Sequence, residues 1–186
     1  MLELIIALAI LGLLVTNVGL VMKTSSSVTK AGLRIEQLES QADLTMDRIA
    51  LAIMASSSEG IVPAPMAPDS ADFLRFARNS GVENGEILWG NEEIIELEAD
   101  SGQVVWRENM DLPDERRVVW SRWVTDLLEG ETANAADDNG NGLEDEAGLA
   151  FDMNGRLITI RITLESEDSE GSVLTKTRET RVTARN

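Results

Sequence analysis

The sequence predicts an α+β protein in which one long N-terminal α-helix, hydrophobic and then amphipathic, packs on a C-terminal antiparallel β-sheet domain. Three observations support this prediction: an apolar start, a three-to-four spacing of apolar residues after it, and period-two alternation near the end of the chain. No proline interrupts residues 1–57, so both helical patterns fit a single helix. A helix followed by a run of strands is typical of the α+β class.

Residues 1–22 form the hydrophobic segment of the predicted helix. Apart from Glu3, Thr16 and Asn17 they are apolar or glycine, and a helix of this length rises about 33 Å, enough to cross the hydrocarbon of a bilayer. A cleavable signal peptide is disfavoured, since no Lys or Arg precedes the run and no A-x-A site follows. A plain single-span anchor leaves Glu3 unexplained, because an unpaired charge in lipid is costly.

Residues 23–57 continue the helix with an amphipathic pattern. Polar residues flank an apolar stripe with a spacing of three or four, which we expect to pack on the chain's own domain. The stripe consists of Val28, Ala31, Ile35, Leu38, Ala42, Met46, Ile49 and Ile53. Gly12 and Gly19 allow the first half of the helix to bend or unwind, at about 1 kcal/mol each relative to alanine.

After the helix, residues 58–85 contain three prolines and several glycines and predict a linker, with a short helical turn at 69–76 and a loop at 79–85. Residues 86–186 predict the antiparallel sheet domain. Residues 118–128 fit either a strand or a strand followed by a helix. The other predicted strands lie at 87–89, 93–98, 103–107, 149–153, 156–164 and 172–184.

Composition limits the function classes. The 186 residues include 16 basic and 33 acidic side chains, a net charge of −17 that repels nucleic acid and anionic membrane surfaces. The chain has no cysteine and no histidine, which leaves only carboxylate, hydroxyl and lysine chemistry for catalysis. We therefore expect no enzymatic activity and interpret acid pairs such as Glu92/Glu93 and Glu165/Glu167 as solvated faces. The four tryptophans favour core or interface packing over an aromatic binding surface.

The first fourteen residues, Met1-Leu-Glu-Leu-Ile-Ile-Ala-Leu-Ala-Ile-Leu-Gly-Leu-Leu, resemble the mature start of type IV pilins and type II secretion pseudopilins. In that family a single glutamate stands directly before an apolar helix, and a long helix leads into a β-sheet domain. Residues 43–50, 94–106 and 179–186 are similar, more weakly, to minor pilins and pseudopilins. The family's glutamate is usually the fifth residue, whereas here it is the third, so we expect the natural mature chain to start two residues upstream of Met1.

The resemblance implies a partner for Glu3: the N-terminal amine of a neighbouring subunit, met as each protomer leaves the membrane for the filament. Such a pair fixes axial register and contributes little net stability. A glutamate that reaches water at the membrane edge is the alternative. The resemblance also implies processing by a prepilin peptidase, N-methylation, residence in the bacterial inner membrane before assembly, and a periplasmic or extracellular filament or fimbrium afterwards.

Residues 134–146 form an Asn/Asp/Gly loop whose spacing is similar to an EF-hand calcium loop. Asp137, Asn139, Asn141, Gly142 and Asp145 match positions one, three, five, six and nine, and Leu143 would offer its carbonyl. Gly148 stands where the bidentate glutamate of position twelve is expected, so Glu146 or Asp138 would have to substitute for it. The sequence thus predicts a calcium site of modest affinity. A loop that binds nothing is the alternative.

We therefore predict a structural subunit of a pilus-like or pseudopilus filament, assembled with identical or homologous subunits and their assembly machinery through Glu3, Gly12 and Gly19. A monomeric, membrane-anchored, calcium-dependent binding domain outside the cytoplasm is the alternative. The two predictions differ in whether Glu3 is required for assembly.

Overall fold

A computed structural model describes residues 2–64, 69–167 and 171–184. The chain divides into two compact units, Met1–Gln37 and Leu38–Asn186. Helix α1 spans Leu2–Met54, so it forms the described part of the first unit and the beginning of the second. The predicted long helix and the α+β class are both confirmed, and the helix ends three residues before the predicted boundary at 57.

The second unit contains two four-stranded antiparallel sheets among its described residues, where the sequence predicted one sheet. One sheet has the strand order β2-β3-β4-β5 and the other has the order β1-β6-β7-β8. The strands are β1 Asp69–Ala71, β2 Phe73–Glu83, β3 Glu86–Glu98, β4 Gln103–Glu108, β5 Arg116–Ser121, β6 Leu149–Asn154, β7 Leu157–Glu167 and β8 Val173–Thr183.

The apolar stripe of α1 enters the core from Leu38 onward. Five of the eight stripe residues are buried, whereas Val28 is 67% exposed and Ile35 is 42% exposed. The buried members pack with apolar side chains from both sheets, including Leu74, Ile95 and Ile160. Charged contacts flank this packing on β8, where Lys176 Nζ lies 2.6 Å from Glu39 Oε1. The C-terminal part of the helix thus covers the sheets, as predicted.

The predicted linker at 58–85 is wrong from residue 69 onward. Strands β1 and β2 occupy the segment that we expected to form a helical turn and a loop. Leu74 and Phe76 alternate with Arg75 and are buried, a period-two signal that outweighs the nearby turn residues. The predicted residues 65–68 of this linker lie outside the described residues.

A tight turn explains why the predicted loop at 79–85 forms a hairpin instead. Asn84 and Gly85 both have positive φ, 53° and 86°, and they join β2 directly to β3. Asn-Gly is the dipeptide that a two-residue hairpin turn favours. Strand β2 continues to this turn despite register shifts around Asn79. The two short strands predicted at 87–89 and 93–98 are consequently one strand, β3.

The strands predicted after residue 102 are confirmed, but 118–128 is a strand that ends at Ser121 with no helix after it. The segment from Trp123 to Gly148 instead packs on β7. Thr125 N donates to Thr163 O at 3.1 Å, and Glu129 N donates to Thr163 Oγ1 at 3.1 Å. An isolated antiparallel bridge between Val124 and Leu164 adds to these bonds, so the segment pairs with the end of β7 beyond β6, and Thr163 is fully buried.

Candidate assembly helix and acidic loop

The first candidate site is the apolar part of α1. Large hydrophobic side chains from Leu2 to Met22 are exposed, and α1 is the one helix in the described part of the chain with the length and composition to cross a membrane. Glu3 lies in its first turn. The helix is therefore compatible with membrane anchoring, and its exposed apolar surface has no covering layer within the described residues of its own unit.

Glu3 differs from the other polar residues of this segment in its partners. Thr16 Oγ1 donates to Gly12 O at 2.8 Å, and Asn17 Nδ2 donates to Leu13 O at 2.8 Å. These bonds satisfy the Thr16 hydroxyl hydrogen and one amide hydrogen of Asn17 within the helix, which lowers the cost of both side chains in an apolar environment. The described residues give Glu3 no hydrogen bond or ion pair. Its carboxylate is the one charged group of residues 2–22, and the described residues leave it without a partner.

Gly12 and Gly19 lie seven residues apart, with Thr16 between them, and so share one face of the helix. A Cβ added at either glycine would have no atom within 4 Å. Nothing within the described chain therefore requires glycine at these positions. Small residues on one face allow close approach of a second helix in a membrane. The helix has no unwound turn at either glycine, since residues 2–54 are helical throughout.

The second candidate site is the loop at 134–146, where backbone N–H groups surround the predicted ligands. Asp137 Oδ1 accepts from Gly140 N at 2.6 Å, and Asp137 Oδ2 accepts from Gly142 N at 2.7 Å. Asn139 Oδ1 accepts from Asn141 N at 3.0 Å, and Asn141 Oδ1 accepts from Leu143 N at 2.9 Å. The loop therefore consists of successive tight turns in which side-chain oxygens accept from backbone N–H groups a few residues later. Alternating Asp, Asn and Gly favour such turns.

Two further acids of the loop also accept hydrogen bonds within it. Asp145 accepts from Asn134 N at 3.1 Å and from Ala135 N at 2.9 Å. Asp138, which we considered as a substitute ligand, accepts from the Thr132 hydroxyl and from Asn134 Nδ2 at 3.0 Å. The Thr132 hydrogen bond, with help from Asn134, lowers the pKa of Asp138 below its ordinary value. Asp138 therefore stays ionised and serves to hold residue 132.

Glu146 is directed into the protein rather than into an open ligand position. Its side chain is fully buried, and Oε1 accepts from an Arg161 guanidinium nitrogen at 2.9 Å. Oε2 accepts from Asn139 Nδ2 at 3.1 Å and from the Asn141 amide. Burial alone would lower the pKa of Arg161, but the hydrogen bond to Glu179 and the charge of Glu146 outweigh it and raise that pKa. Both oxygens of Glu146 thus have donors, and the residue joins the loop to β7.

The predicted acids do not converge into a metal centre. In the described ranges, no three His, Cys, Asp or Glu side chains are grouped so that they could hold a metal ion. Gly148 also cannot be replaced by the glutamate of a standard loop. A Cβ added there would lie 1.8 Å from Thr125 O, and Gly148 N donates to Asp126 O at 3.0 Å. The close backbone approach requires glycine at this position.

The sequence interpretation missed two buried acids. Glu93, which we expected on a solvated face, is 4% exposed and accepts from Trp106 Nε1 and Arg78 Nε at 2.5 Å each. Glu131 is 8% exposed, and neither of its carboxylate oxygens has a hydrogen-bond partner among the residues that the structure describes. Alternation with Ile94 and Ile95 gives no signal for Glu93, because its burial depends on Arg78 from the neighbouring strand. No local pattern marks Glu131.

The tryptophans do not form one surface. Trp106 and Trp120 stack with ring centroids 6.2 Å apart, and the guanidinium groups of Arg78 and Arg116 lie 5.9 and 5.6 Å from the Trp106 ring. Trp89 and Trp123 are 43% and 45% exposed. Core packing is thus confirmed for Trp106, with Trp120 packed against the core, whereas Trp89 and Trp123 keep somewhat less than half of their surface exposed.

Comparison with known proteins adds no relative. No protein-family model matches the chain, and neither a curated protein nor a solved structure matches it. The architecture, a long apolar N-terminal helix whose later part packs on antiparallel sheets, is compatible with a pilin-like fold.

Proposed function

We propose that the protein is a structural subunit of a filament related to type IV pili or type II secretion pseudopili. The observation that carries the proposal is the exposed apolar helix with one carboxylate in its first turn that the described residues leave unpaired. A membrane can cover the apolar surface of such a helix, but it offers Glu3 no counter-charge. A neighbouring subunit offers both, an apolar helix for packing and an N-terminal amine for the carboxylate.

The small residues of α1 support close packing between subunits. Gly12, Thr16 and Gly19 share a face without serving any contact inside the described chain. Helices associate in membranes through such faces, because small side chains let two backbones approach. On leaving the bilayer, the same helices bury apolar surface from water at roughly 25 cal/mol per Å². The inner membrane thus holds the subunit before assembly, and the filament core holds its helix afterwards.

Replacement of Glu3 by alanine tests the proposal. We expect Glu3→Ala to abolish filaments in the producing cells, because the helix then lacks the charge that selects its neighbour and sets its register. Glu36→Ala, which removes an exposed acid farther along the same helix, is the matched control and should leave filaments intact. Electron microscopy counts the filaments, and immunoblots of membranes check that both variants accumulate equally.

Normal filament assembly by Glu3→Ala would contradict the proposal.

A monomeric membrane-anchored binding domain is the second candidate function. It is favoured by the acidic loop, which lies in the second unit and does not depend on assembly. Under that reading both variants stay in the membrane as monomers and neither changes the behaviour of the second unit.

A further inference from the structure

We propose that the tip of the β2–β3 hairpin, residues 80–91, docks on strand β5 of a second copy of the chain. The contact rests on the proposed filament, which holds copies of the chain side by side. It joins two different surfaces, so each chain uses its hairpin tip toward one neighbour and its β5 toward another. Such a heterologous contact can repeat along an open helical assembly.

The hairpin tip extends beyond its sheet. Strand β4 pairs with β3 only from Glu93 to Glu98, and residues 55–62 contact β2 no farther along than Asn79. In the described part of the chain, the strands of the hairpin tip therefore pair only with each other. An isolated two-stranded hairpin is marginally stable in water, so a surface that covers it would stabilise it.

One face of the hairpin tip is apolar. Val82 lies opposite Ile87 in the strand register, and Trp89 follows Ile87 by two residues, so the three side chains share a face. All three are exposed. Exposed apolar groups with a polar rim mark sites of protein interaction.

The acids of the hairpin tip favour a basic partner. Glu83 lies directly opposite Glu86 next to the turn, and like charges in that arrangement are unfavourable. Residues 80–91 contain no lysine or arginine, and neither carboxylate has an ion pair within the part of the chain that the structure describes. An arginine from a neighbouring chain would offset the repulsion between them.

Strand β5 offers the complementary surface. It is the last strand of its sheet among the described residues, and residues 116–122 contain three arginines and no acid. The first two arginines contact acids on β4 and β3, but exposed Arg122 has no ion pair with any described residue. Val118, in the middle of the strand, is exposed. The acids of the hairpin tip thus match Arg122 in charge, and its apolar face matches Val118.

This contact adds to the packing of the helices and does not replace it. A net charge of −17 makes whole chains repel each other, and exposed ion pairs contribute little in water. Helix packing raises the local concentration of the second copy, so a weak contact between neighbours becomes populated.

Disulfide crosslinking in producing cells tests the contact, since the chain has no cysteine of its own. The test variant carries Ile87→Cys and Val118→Cys, and copper phenanthroline is the oxidant. Val118 is in register with Trp106 and, through it, with Ile95, which lies eight residues along β3 from Ile87, or roughly 25 Å. A disulfide needs Cα atoms within about 7 Å. The two positions can therefore be joined only between chains.

We expect a ladder of disulfide-linked dimers, trimers and larger species on non-reducing gels. Ile87→Cys alone should give no dimer, because the proposed contact brings no two hairpin tips together. Val173→Cys with Val118→Cys is the matched control and should give no ladder, although both positions are exposed valines on edge strands.

An exchange of charges distinguishes docking from random collision. In the variant with both cysteines, Arg122→Glu should lower the yield of crosslinked dimer about fivefold, the scale of one exposed ion pair. Adding Glu86→Arg should restore the yield, because the two charges are then exchanged between the surfaces. A variant that merely misfolds would not be restored by a second substitution.

The crosslinks and the filaments can fail separately. Filaments without a ladder, an equal ladder from the control with Val173→Cys, or no recovery after the charge exchange would overturn the hairpin contact and leave the proposed function standing. A ladder in membranes without filaments would contradict the filament and support the contact between copies. Neither a ladder nor filaments would contradict both proposals.

Discussion

Glu93 is a charged side chain in the interior of the second unit, and its partners explain how it is tolerated. Its two oxygens accept from the Arg78 guanidinium and the Trp106 indole. The two donor side chains also contact each other, since the Arg78 guanidinium lies over the Trp106 ring. The carboxylate therefore satisfies the N–H of buried Trp106, while Arg78, whose side chain is 46% exposed, supplies the counter-charge.

We expect Glu93→Ala to lower the free energy of unfolding by about 2 kcal/mol, because it leaves the buried Trp106 N–H without an acceptor and removes the contact to Arg78. The matched control is Glu92→Ala, whose 3.4 Å contact to Arg75 is largely exposed and is worth less than about 1 kcal/mol. Urea unfolding of the full chain in detergent measures both variants. Equal effects would show that the Glu93 contacts add nothing beyond those of a surface acid.

Glu98 gives the stability of the second unit a defined pH dependence. The hydrogen bond from Arg117 lowers the pKa of Glu98 below its ordinary 4.5, and Arg107 adds to this effect while burial opposes it. A carboxyl group whose pKa is lower in the folded state stabilises the fold above the unfolded pKa. That stabilisation is lost as the pH falls below 4.5 and through the folded pKa.

Glu98→Gln should therefore lower the melting temperature at pH 7 and flatten its decline below pH 4.5, the ordinary pKa of this carboxyl. Glu86→Gln removes an exposed acid from the same strand. It should leave both the melting temperature at neutral pH and its fall at acidic pH nearly unchanged. Melting curves of the full chain between neutral and acidic pH supply the comparison. If the melting temperatures of the wild type and Glu98→Gln fell in parallel with pH, the contacts of Glu98 with the two arginines would not persist in solution.

Among the elements, helix α1 has an exposed apolar surface in its first part and a buried apolar stripe in its last part. Its stripe from Leu38 to Ile53 is buried against both sheets, while its apolar residues before Lys23 are exposed. The change in environment follows the change in sequence pattern, from apolar on all sides to apolar on one side. Packing therefore stabilises the second part, and the first part keeps its apolar surface available.

Replacement of Ile49 by alanine should lower the free energy of unfolding by about 3 kcal/mol, because the side chain is fully buried in the core between helix and sheets. Leu51→Ala, two residues along the same helix and 64% exposed, should cost less than about 1 kcal/mol. Denaturant titrations of the two variants give the difference directly. If Leu51→Ala were as destabilising as Ile49→Ala, the buried face of the helix would have been assigned wrongly.

Sequence patterns predicted the helix and the later strands well because these elements carry local signals. The three-to-four spacing of the stripe and the alternation of Ile158, Ile160 and Ile162 both depend on each element alone. Strand β2 was not predicted because the prolines and glycines around it indicate a linker. Asn84-Gly85 is nevertheless a hairpin signal. The division into two sheets could not be predicted, since it depends on which strands pair at long range.

In the candidate sites too, the sequence indicates features that depend on local pattern and does not indicate those that depend on long-range contacts. Glu3 is recognisable in the sequence because its neighbours are apolar, and no described residue pairs with it. The engagement of Glu146 by Arg161 and the isolation of Glu131 depend on the fold of the segment over β7. No spacing in the sequence indicates which of seven neighbouring acids is satisfied by the protein itself.

For the whole molecule, the two units carry different properties. The described part of the first unit is a helix with exposed apolar side chains and one unpaired acid, and the second holds a packed core beneath a strongly acidic surface. Like-charged surfaces repel each other, so acidic second units do not favour association by themselves. The proposed assembly of identical chains therefore has to rely on the helix.

Cryo-electron microscopy of surface filaments, with the subunit identified by mass spectrometry, tests that claim most directly. The account predicts filaments built from this chain, with residues 2–22 packed helix against helix in the interior and Glu3 at ion-pair distance from a neighbour's N-terminal amine. Recovery of the chain as membrane monomers, or filaments in which Glu3 faces solvent, would contradict the account.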